Sequence, residues 1–346
     1  MRITNSIIYD QLLSGLRNFQ TTNSELTTRL ATQKKILAPS EDVSGTMRAM
    51  DYQVSINANS QYKNNIAGAT TNLNIASTVL TGVASTLSTL TNLISNTSGS
   101  TDPVIMASSS QQAAQVRDEL YNYSNTKSGG GYIFSGFQTN QQPYTIQNQA
   151  PGIVPPTAYL YAGDSGALNV PIDRGATMQA NVTGNDAFSL SLAAPYQIQI
   201  DGGLNVHYTP GAGTSVTVEI RQADDVARPT DDTFTFSNAM DMANIISSAL
   251  GANDTARIQA MTDPLNKIRD QVNALQADVG TRINALNDQS TQLDQNTNTL
   301  KDALSTIQDV DMNETALQLT QTNTALQALY ATSSKILPQS LFDFLK

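Results

Sequence analysis

Residues 316–346 read ALQLTQTNTALQALYATSSKILPQSLFDFLK. Apolar side chains recur here at helical spacing, and no neighbouring segment is placed to cover them. The stripe starts just upstream and runs Met312, Ala316, Leu319, Asn323, Leu326, Tyr330, Ser333 and Leu337, in alternating steps of four and three. Such a 3.5-residue period is the seam of a coiled coil. Pro338 is expected to kink the helix ahead of a tip that carries Leu341, Phe342 and Phe344.

A matching seam lies at the other end of the chain. Leu12, Leu16, Phe19, Asn23, Leu26 and Leu30 repeat the same alternation. Each seam covers about 50 Å as helix, and each carries one asparagine, Asn23 and Asn323, a device that fixes register in coiled coils at some cost in stability. The pattern predicts that the two ends run side by side. Two helices alone do not hide the whole seam and the apolar tip, so the remaining cover is expected from other subunits.

Two longer seams lie inside these. One is Ile66, Ala69, Leu73, Ala76, Leu80, Val83, Leu87, Leu90 and Ile94. The other runs from Leu265 through Ile268, Val272, Leu275, Val279, Ile283, Leu286 and Ser290 to Leu293, Thr297, Leu300, Leu304 and Ile307. Two steps of four adjoin at Leu275, Val279 and Ile283, a stutter that locally unwinds a supercoil. In the link LAPSEDVSG, Pro39 is expected to end the first helix and Ser40 to cap the next, with Glu41 and Asp42 favouring its positive end. Shorter helices are expected over about 104–127 and from Ser237 as N-cap to Gly251 as stop, and Asp263-Pro264 opens the longest helix.

Between about 140 and 236 the period falls to two. In YQIQIDGGLNVHY, Tyr196, Ile198 and Ile200 alternate, Asp201-Gly202-Gly203 turns, and Leu204, Val206 and Tyr208 resume. SVTVEI and TFTF read the same way. The fold class is therefore α+β: an elongated bundle of long helices with paired N- and C-terminal coiled-coil helices and a β-rich domain inserted mid-chain. Residues 1–40 with 310–346 form the terminal coiled coil, 41–137 with 237–309 a helical rod, and 138–236 the β-rich domain.

Only 14% of the 346 residues are charged, and the net charge is −10. Residues 1–40 hold five basic and two acidic side chains and residues 312–346 two of each, so the acidity lies in the middle. No basic cluster suits a nucleic acid or an anionic membrane. No cysteine is present, which removes disulfides and thiolate chemistry. The N-terminus lacks the apolar run of a secretory signal, and no stretch reads as a membrane span.

Chemistry-bearing motifs are sparse. His207 is the only histidine and sits in a strand, so neither a metal site nor a catalytic triad is expected. SGGGYIFSG lacks the cation of a phosphate loop and reads as a helix terminator and joint. Glu41-Asp42, Asp224-Asp225 and Asp231-Asp232 lack the alternating spacing that wraps calcium, and the last two pairs fall in QADDVARPTDDTF, read as a linker. No cofactor, metal or catalytic residue is expected. A carbohydrate-binding β domain on a helical stalk is the alternative from another class.

Four stretches resemble a known family: LATQKKILAPSEDVSGTMRAM (30–50), GGGYIFSGFQTNQQPY (129–144), VGTRINALNDQ (279–289) and DVDMNETALQLTQTNTALQALYATSSKILPQSLFDFL (309–345). Together they look like the flagellin superfamily, and within it the members at the junction of hook and filament, with flagellin itself as the rival. The opening MRIT favours the junction members. Where the family commonly has Pro-Ser-Asp-Asp, this chain has Pro39-Ser40-Glu41-Asp42. The resemblance implies export without a cleaved leader and an extracellular, flagellar location. It implies as partners a ring of copies, the hook-side junction protein, flagellin, and a cytoplasmic export chaperone. The residues expected to carry assembly are Leu12, Leu16, Phe19, Leu26, Leu30, Leu319, Leu326, Tyr330, Leu337, Leu341, Phe342 and Phe344.

Overall fold

The computed structural model describes residues 2–97, 99, 102–149, 157–222 and 233–344, with side chains at Ile7 and between residues 10 and 333 of those ranges. Helices α1 (Arg2–Thr32), α2 (Val43–Thr97) and α3 (Pro103–Ser124) precede the strands, and α5 (Ala239–Ala252), α6 (Thr255–Ala260), α7 (Thr262–Gln308) and α8 (Met312–Phe344) follow them. The chain forms two compact units, residues 1–61 with 292–346 and residues 62–291. Both α2 and α7 contribute residues to each.

In the unit of residues 62–291, all nine seam positions of α2 from Ile66 to Ile94 are buried, five of them completely. Contrary to the sequence expectation, α2 is long and apolar enough to cross a membrane by length and composition alone. Its apolar side is instead the core of this unit. Along α7, Leu265, Ile268, Val272, Val279 and Leu286 are all fully buried, the last three in steps of seven. Leu275 and Ile283, at the stutter, are only half-buried. There the buried line drifts away from them, as two adjoining steps of four require.

Helix α5 is buried almost all round and crosses α3 closely. Ser110 Oγ donates to the Ser247 carbonyl at 2.8 Å, and Ser247 Oγ returns the bond to the Ser110 carbonyl at 2.9 Å. Gly251 belongs to this crossing, because a Cβ there would meet Ser110 Oγ at 3.4 Å. It is therefore not the helix stop: α5 continues to Ala252, and Asn253 ends it in the left-handed region at φ 58°. Its N-cap is Asn238 and not Ser237, since Asn238 Oδ1 accepts the Asp241 N–H at 3.0 Å.

The strands form antiparallel pairs. β1 (Lys127–Ser128) and β2 (Gly131–Tyr132) make a hairpin at Gly129-Gly130, both at positive φ. β3 (Tyr144–Asn148) pairs with β4 (Thr157–Tyr161), and β5 (Asn169–Asp173) with β6 (Ala176–Gln179); the one-turn helix α4 (Gly184–Phe188) follows. β7 (Tyr196–Ile200), β8 (Leu204–Pro210), β9 (Val216–Arg221) and β10 (Thr233–Phe236) form a four-stranded sheet ordered β10-β9-β8-β7. Its buried face is Val206, Tyr208, Val216, Val218, Ile220, Phe234 and Phe236. The expected strands at 196–208, SVTVEI and TFTF are all present. The strand-rich region begins at Lys127, about ten residues before the expected boundary, because the triple glycine folds as a hairpin and not as a joint.

β4 is fastened to α5 by side chains. Asn238 Nδ2 donates to the Tyr159 carbonyl at 2.6 Å, Asn244 Nδ2 to the Thr157 carbonyl at 3.0 Å, and Asp241 accepts the Tyr159 N–H at 2.9 Å and the Ser237 N–H at 3.0 Å. Burial raises the Asp241 carboxyl to about 6 from its ordinary 3.8, outweighing those two N–H donors, which lower it. A carboxyl whose folded-state pKa is raised stabilises the fold fully below pH 4, and that contribution is lost as pH rises through 6. Relative to Asp241→Asn, the wild-type chain should therefore gain up to about 3 kcal/mol between pH 7 and pH 4. Urea denaturation at both pH values checks this, and parallel pH profiles for the two proteins would refute it.

Candidate functional site: the paired terminal helices

In the unit of residues 1–61 with 292–346, α1 and α8 run antiparallel. Asn23 Nδ2 donates to Asn323 Oδ1, and Gln20 Nε2 to the Tyr330 hydroxyl at 2.9 Å. The two asparagines singled out by the seams therefore meet and pin one register. A double-mutant cycle on Asn23→Ala and Asn323→Ala, followed by urea denaturation, should return a coupling of about 1 kcal/mol. Strictly additive effects would show that the pair fixes nothing.

The base of the pair is tied by backbone. Lys35 N–H donates to the Gln308 carbonyl at 2.7 Å and Val310 N–H to the Gln33 carbonyl at 3.1 Å. Helix α1 ends at Thr32, earlier than Pro39, because Gln33 takes the left-handed conformation at φ 59° to enter this bridge. Asp42, not Ser40, caps α2: its Oδ1 accepts the Gly45 N–H at 2.8 Å. Glu41 instead accepts the Leu37 N–H and lies 3.5 Å from Arg29. Asp311 caps α8 by accepting the Asn313 and Glu314 N–H groups at 2.9 and 3.1 Å.

Burial along the pair is incomplete. Leu26 is 5% exposed, whereas Leu12, Leu16, Phe19 and Leu30 are half-buried. On α8, Leu319 and Leu326 are half-buried while Met312, Ala316, Asn323 and Tyr330 are exposed, Tyr330 at 47%. The inward line of α8 is Thr315, Leu319, Thr322, Leu326, Leu329 and Ser333. It shares Leu319, Leu326 and Ser333 with the expected seam and brings in Leu329, which sequence reading missed. Both lines alternate four and three, so spacing alone did not separate them. Leu337, Leu341, Phe342 and Phe344 lie outside the residues whose side chains are described; α8 itself continues through Pro338.

The outer faces are polar in composition, and several of their threonine hydroxyls are already engaged. Thr27, Thr28 and Thr32 on α1, and Thr320, Thr324 and Thr332 on α8, each donate a hydroxyl to the carbonyl four residues earlier, at 2.7–2.9 Å. Those donors are already satisfied, so a partner covering them leaves no O–H unpaired, and the threonines present their methyl groups.

Elsewhere the described residues offer little for chemistry. His207 is half-buried in β8, opposite Gln197 and Glu219. No group of metal-ligating side chains is found among the described residues. Asp224-Asp225 and Asp231-Asp232 lie outside them. A cleft of about 450 Å³ is lined by Asn181, Asp186, Gln271, Asp278 and Arg282. There Gln271 is engaged with the Asp186 and Ser189 carbonyls and Arg282 with Asp278, so the polar groups are spent on the fold.

Long helices from both ends of a chain, paired with each other and only half covered, with the strands confined to the middle, define the flagellin class of structural protein. Residues 3–139 match the family model of the bacterial flagellin N-terminal helical region and residues 262–345 that of the C-terminal helical region. Between them these cover well over half of the chain, which belongs to the flagellin family. Its relatives include flagellar hook-associated protein 3 of Salmonella typhimurium, 24% identical with 99% of each chain covered, and that of Escherichia coli, 23% identical over the whole of both. Among solved structures, flagellar hook-associated protein 3 of Legionella pneumophila matches with a TM-score of 0.55 at 15% identity, covering 74% of this chain and 98% of that one. FlgL of Bacillus cereus matches at 0.51 and 15% identity, with 74% and 99% covered. These likenesses bear out the expected fold, long helices at both ends around a strand-rich centre.

Proposed function

We propose that this chain is a structural adaptor of the bacterial flagellum, joining the hook, through the hook-side junction protein, to the flagellin filament. The terminal helices, residues 1–40 and 310–346, act as the inner assembly element, residues 41–137 with 237–309 as a helical rod, and 138–236 as an outer domain. Copies form a ring in which neighbours cover what α1 and α8 leave open. The chain travels to the growing tip unfolded, escorted by a cytoplasmic chaperone. It performs no catalysis and holds no cofactor.

One observation carries this reading. The α1 and α8 seams are half covered, whereas Leu73, Leu80, Leu87 and Leu90 of α2 are fully buried. The same periodic pattern that closes a core in one unit stays open in the other, and large open apolar stripes mark partner surfaces. Satisfied threonine hydroxyls along the outer faces make that cover cheap. Whole-length similarity to hook-associated proteins, beyond the flagellin helical regions alone, favours the junction over the filament.

Imaging of isolated hook–filament assemblies with a label on this chain tests the assignment. A single narrow band where hook meets filament is expected. Label along the filament would make the chain a flagellin, and no label on the flagellum would remove it from the structure altogether.

A further inference from the structure

Outside the terminal pair, the same unit leaves one more apolar face uncovered. On the first three turns of α2, Val43, Met47, Met50 and Val54 are 61%, 63%, 60% and 67% exposed. Their steps of four, three and four keep them in one line along the helix. The opposite side of these turns is occupied: Gly45, Ala49 and Asn59 are buried, and Asn59 Nδ2 donates to Thr297 Oγ1 of α7 at 3.1 Å. The helix is thus two-faced here, and its second face has no cover among the described residues.

The order of residues in the line is palindromic. Valine, methionine, methionine and valine, at spacings symmetric about a point between Arg48 and Ala49, read alike in both directions. The geometry points to a second copy of this chain as the occupant, docked through the same face with its α2 antiparallel. Val43 then meets Val54 of the second copy and Met47 meets Met50, around a two-fold axis.

Charge selects this direction. A parallel pairing would bring the two helix starts together, and with them Glu41 and Asp42 of both copies, four carboxylates at one place. Antiparallel pairing sends those acids to opposite ends. It sets Asp51 beside Ser44 of the second copy and Thr46 beside Gln53, with no like charges opposed. Beyond Val54 the same line meets Asn57 and Gln61, so the apolar contact stops where the second copy's helix begins.

Methionine suits such a face, because its unbranched side chain adapts to a partner's shape. Four side chains offer roughly 400 Å² per copy, about half of the ~800 Å² per partner typical of stable interfaces. The pairing is therefore weak and reversible, a contact between free copies that gives way to assembly. It stands on α2 alone and does not depend on the role proposed for α1 and α8.

Cysteine pairing tests it directly, since the chain contains no cysteine. Full-length Val43→Cys and Val54→Cys chains are mixed and oxidised with copper phenanthroline. Both positions are exposed, and unchanged circular dichroism confirms that each variant is folded. The mixture should form disulfide dimers at least about tenfold faster than either variant alone, and adding Met47→Asp and Met50→Asp to both chains should bring the rate to that of the single variants. Dimers that form as fast within one variant as in the mixture, or a mixture rate unmoved by the aspartates, would overturn the proposal.

Discussion

A chain truncated after Asp311 is expected to fail completely to join filament to hook, while its unit of residues 62–291 stays folded. Removing α8 strips Leu12, Leu16, Phe19, Leu26 and Leu30 of the helix they lie against, and most helical stability in proteins comes from tertiary packing of an amphipathic face. Helix α1 then loses its register, because Asn23 and Gln20 lose Asn323 and Tyr330. The other unit keeps its fully buried α2 line, the Ser110–Ser247 crossing and the four-stranded sheet. Motility of cells relying on the truncated chain, with electron microscopy of their hooks, measures the first part. Circular dichroism melting measures the second. Truncated chains that still join hook to filament would defeat the adaptor mechanism. A milder variant, Leu319→Asp with Leu326→Asp, should give the same loss of assembly with the full chain length retained.

The second large effect lies in the glycine-rich segment. Gly136 sits at φ 70°, and a Cβ there would lie 2.0 Å from Asp164 Oδ1 and 2.4 Å from the Asp164 backbone oxygen. That carboxylate cannot simply swing away, because it accepts the Phe137 and Gly166 N–H groups at 2.9 and 2.8 Å. The Tyr161 hydroxyl further ties the knot, its single proton shared between the Phe134 and Asp164 carbonyls, both at 2.8 Å. Gly136→Ala thus combines left-handed strain of about 1–3 kcal/mol with overpacking of similar size. A loss of roughly 3–5 kcal/mol is expected on urea denaturation. Gly175→Ala is the control: its φ is 84°, but the space around it is open, so about 1 kcal/mol is expected. Equal costs at the two positions would show that the close approach to Asp164 contributes nothing.

The long helices were legible because a 3.5-residue period sustained over many turns has few competing explanations. Every α2 seam position from Ile66 to Ile94 is buried, and the hairpin at Asp201-Gly202-Gly203 follows from alternation broken by glycines at φ 84° and 75°. What was not legible depends on residues that meet only after folding. Gly251 looks like a stop until Ser110 of α3 arrives against it. The clamp of Asn238, Asp241 and Asn244 on β4 joins positions about eighty apart, and nothing in a run of polar residues announces it. Ser40 and Asp42 are equally good caps by type, and only the folded geometry shows that Asp42 accepts the Gly45 N–H. In the terminal pair, the asparagine contact was readable from both ends. The choice between Tyr330 and Leu329 was not, because it turns on rotation of α8 by less than a third of a turn.

The central claim is that α1 and α8 form an open pair completed by other copies. Amide hydrogen exchange of residues 10–32 and 312–333, in the free chain and in the assembled junction, tests it most directly. The account predicts markedly faster exchange in both segments than in Leu73–Ile94 of α2 for the free chain, and strong protection of both segments after assembly. Terminal helices protected as strongly in the free chain as in the assembly would show a closed intramolecular coiled coil and contradict it.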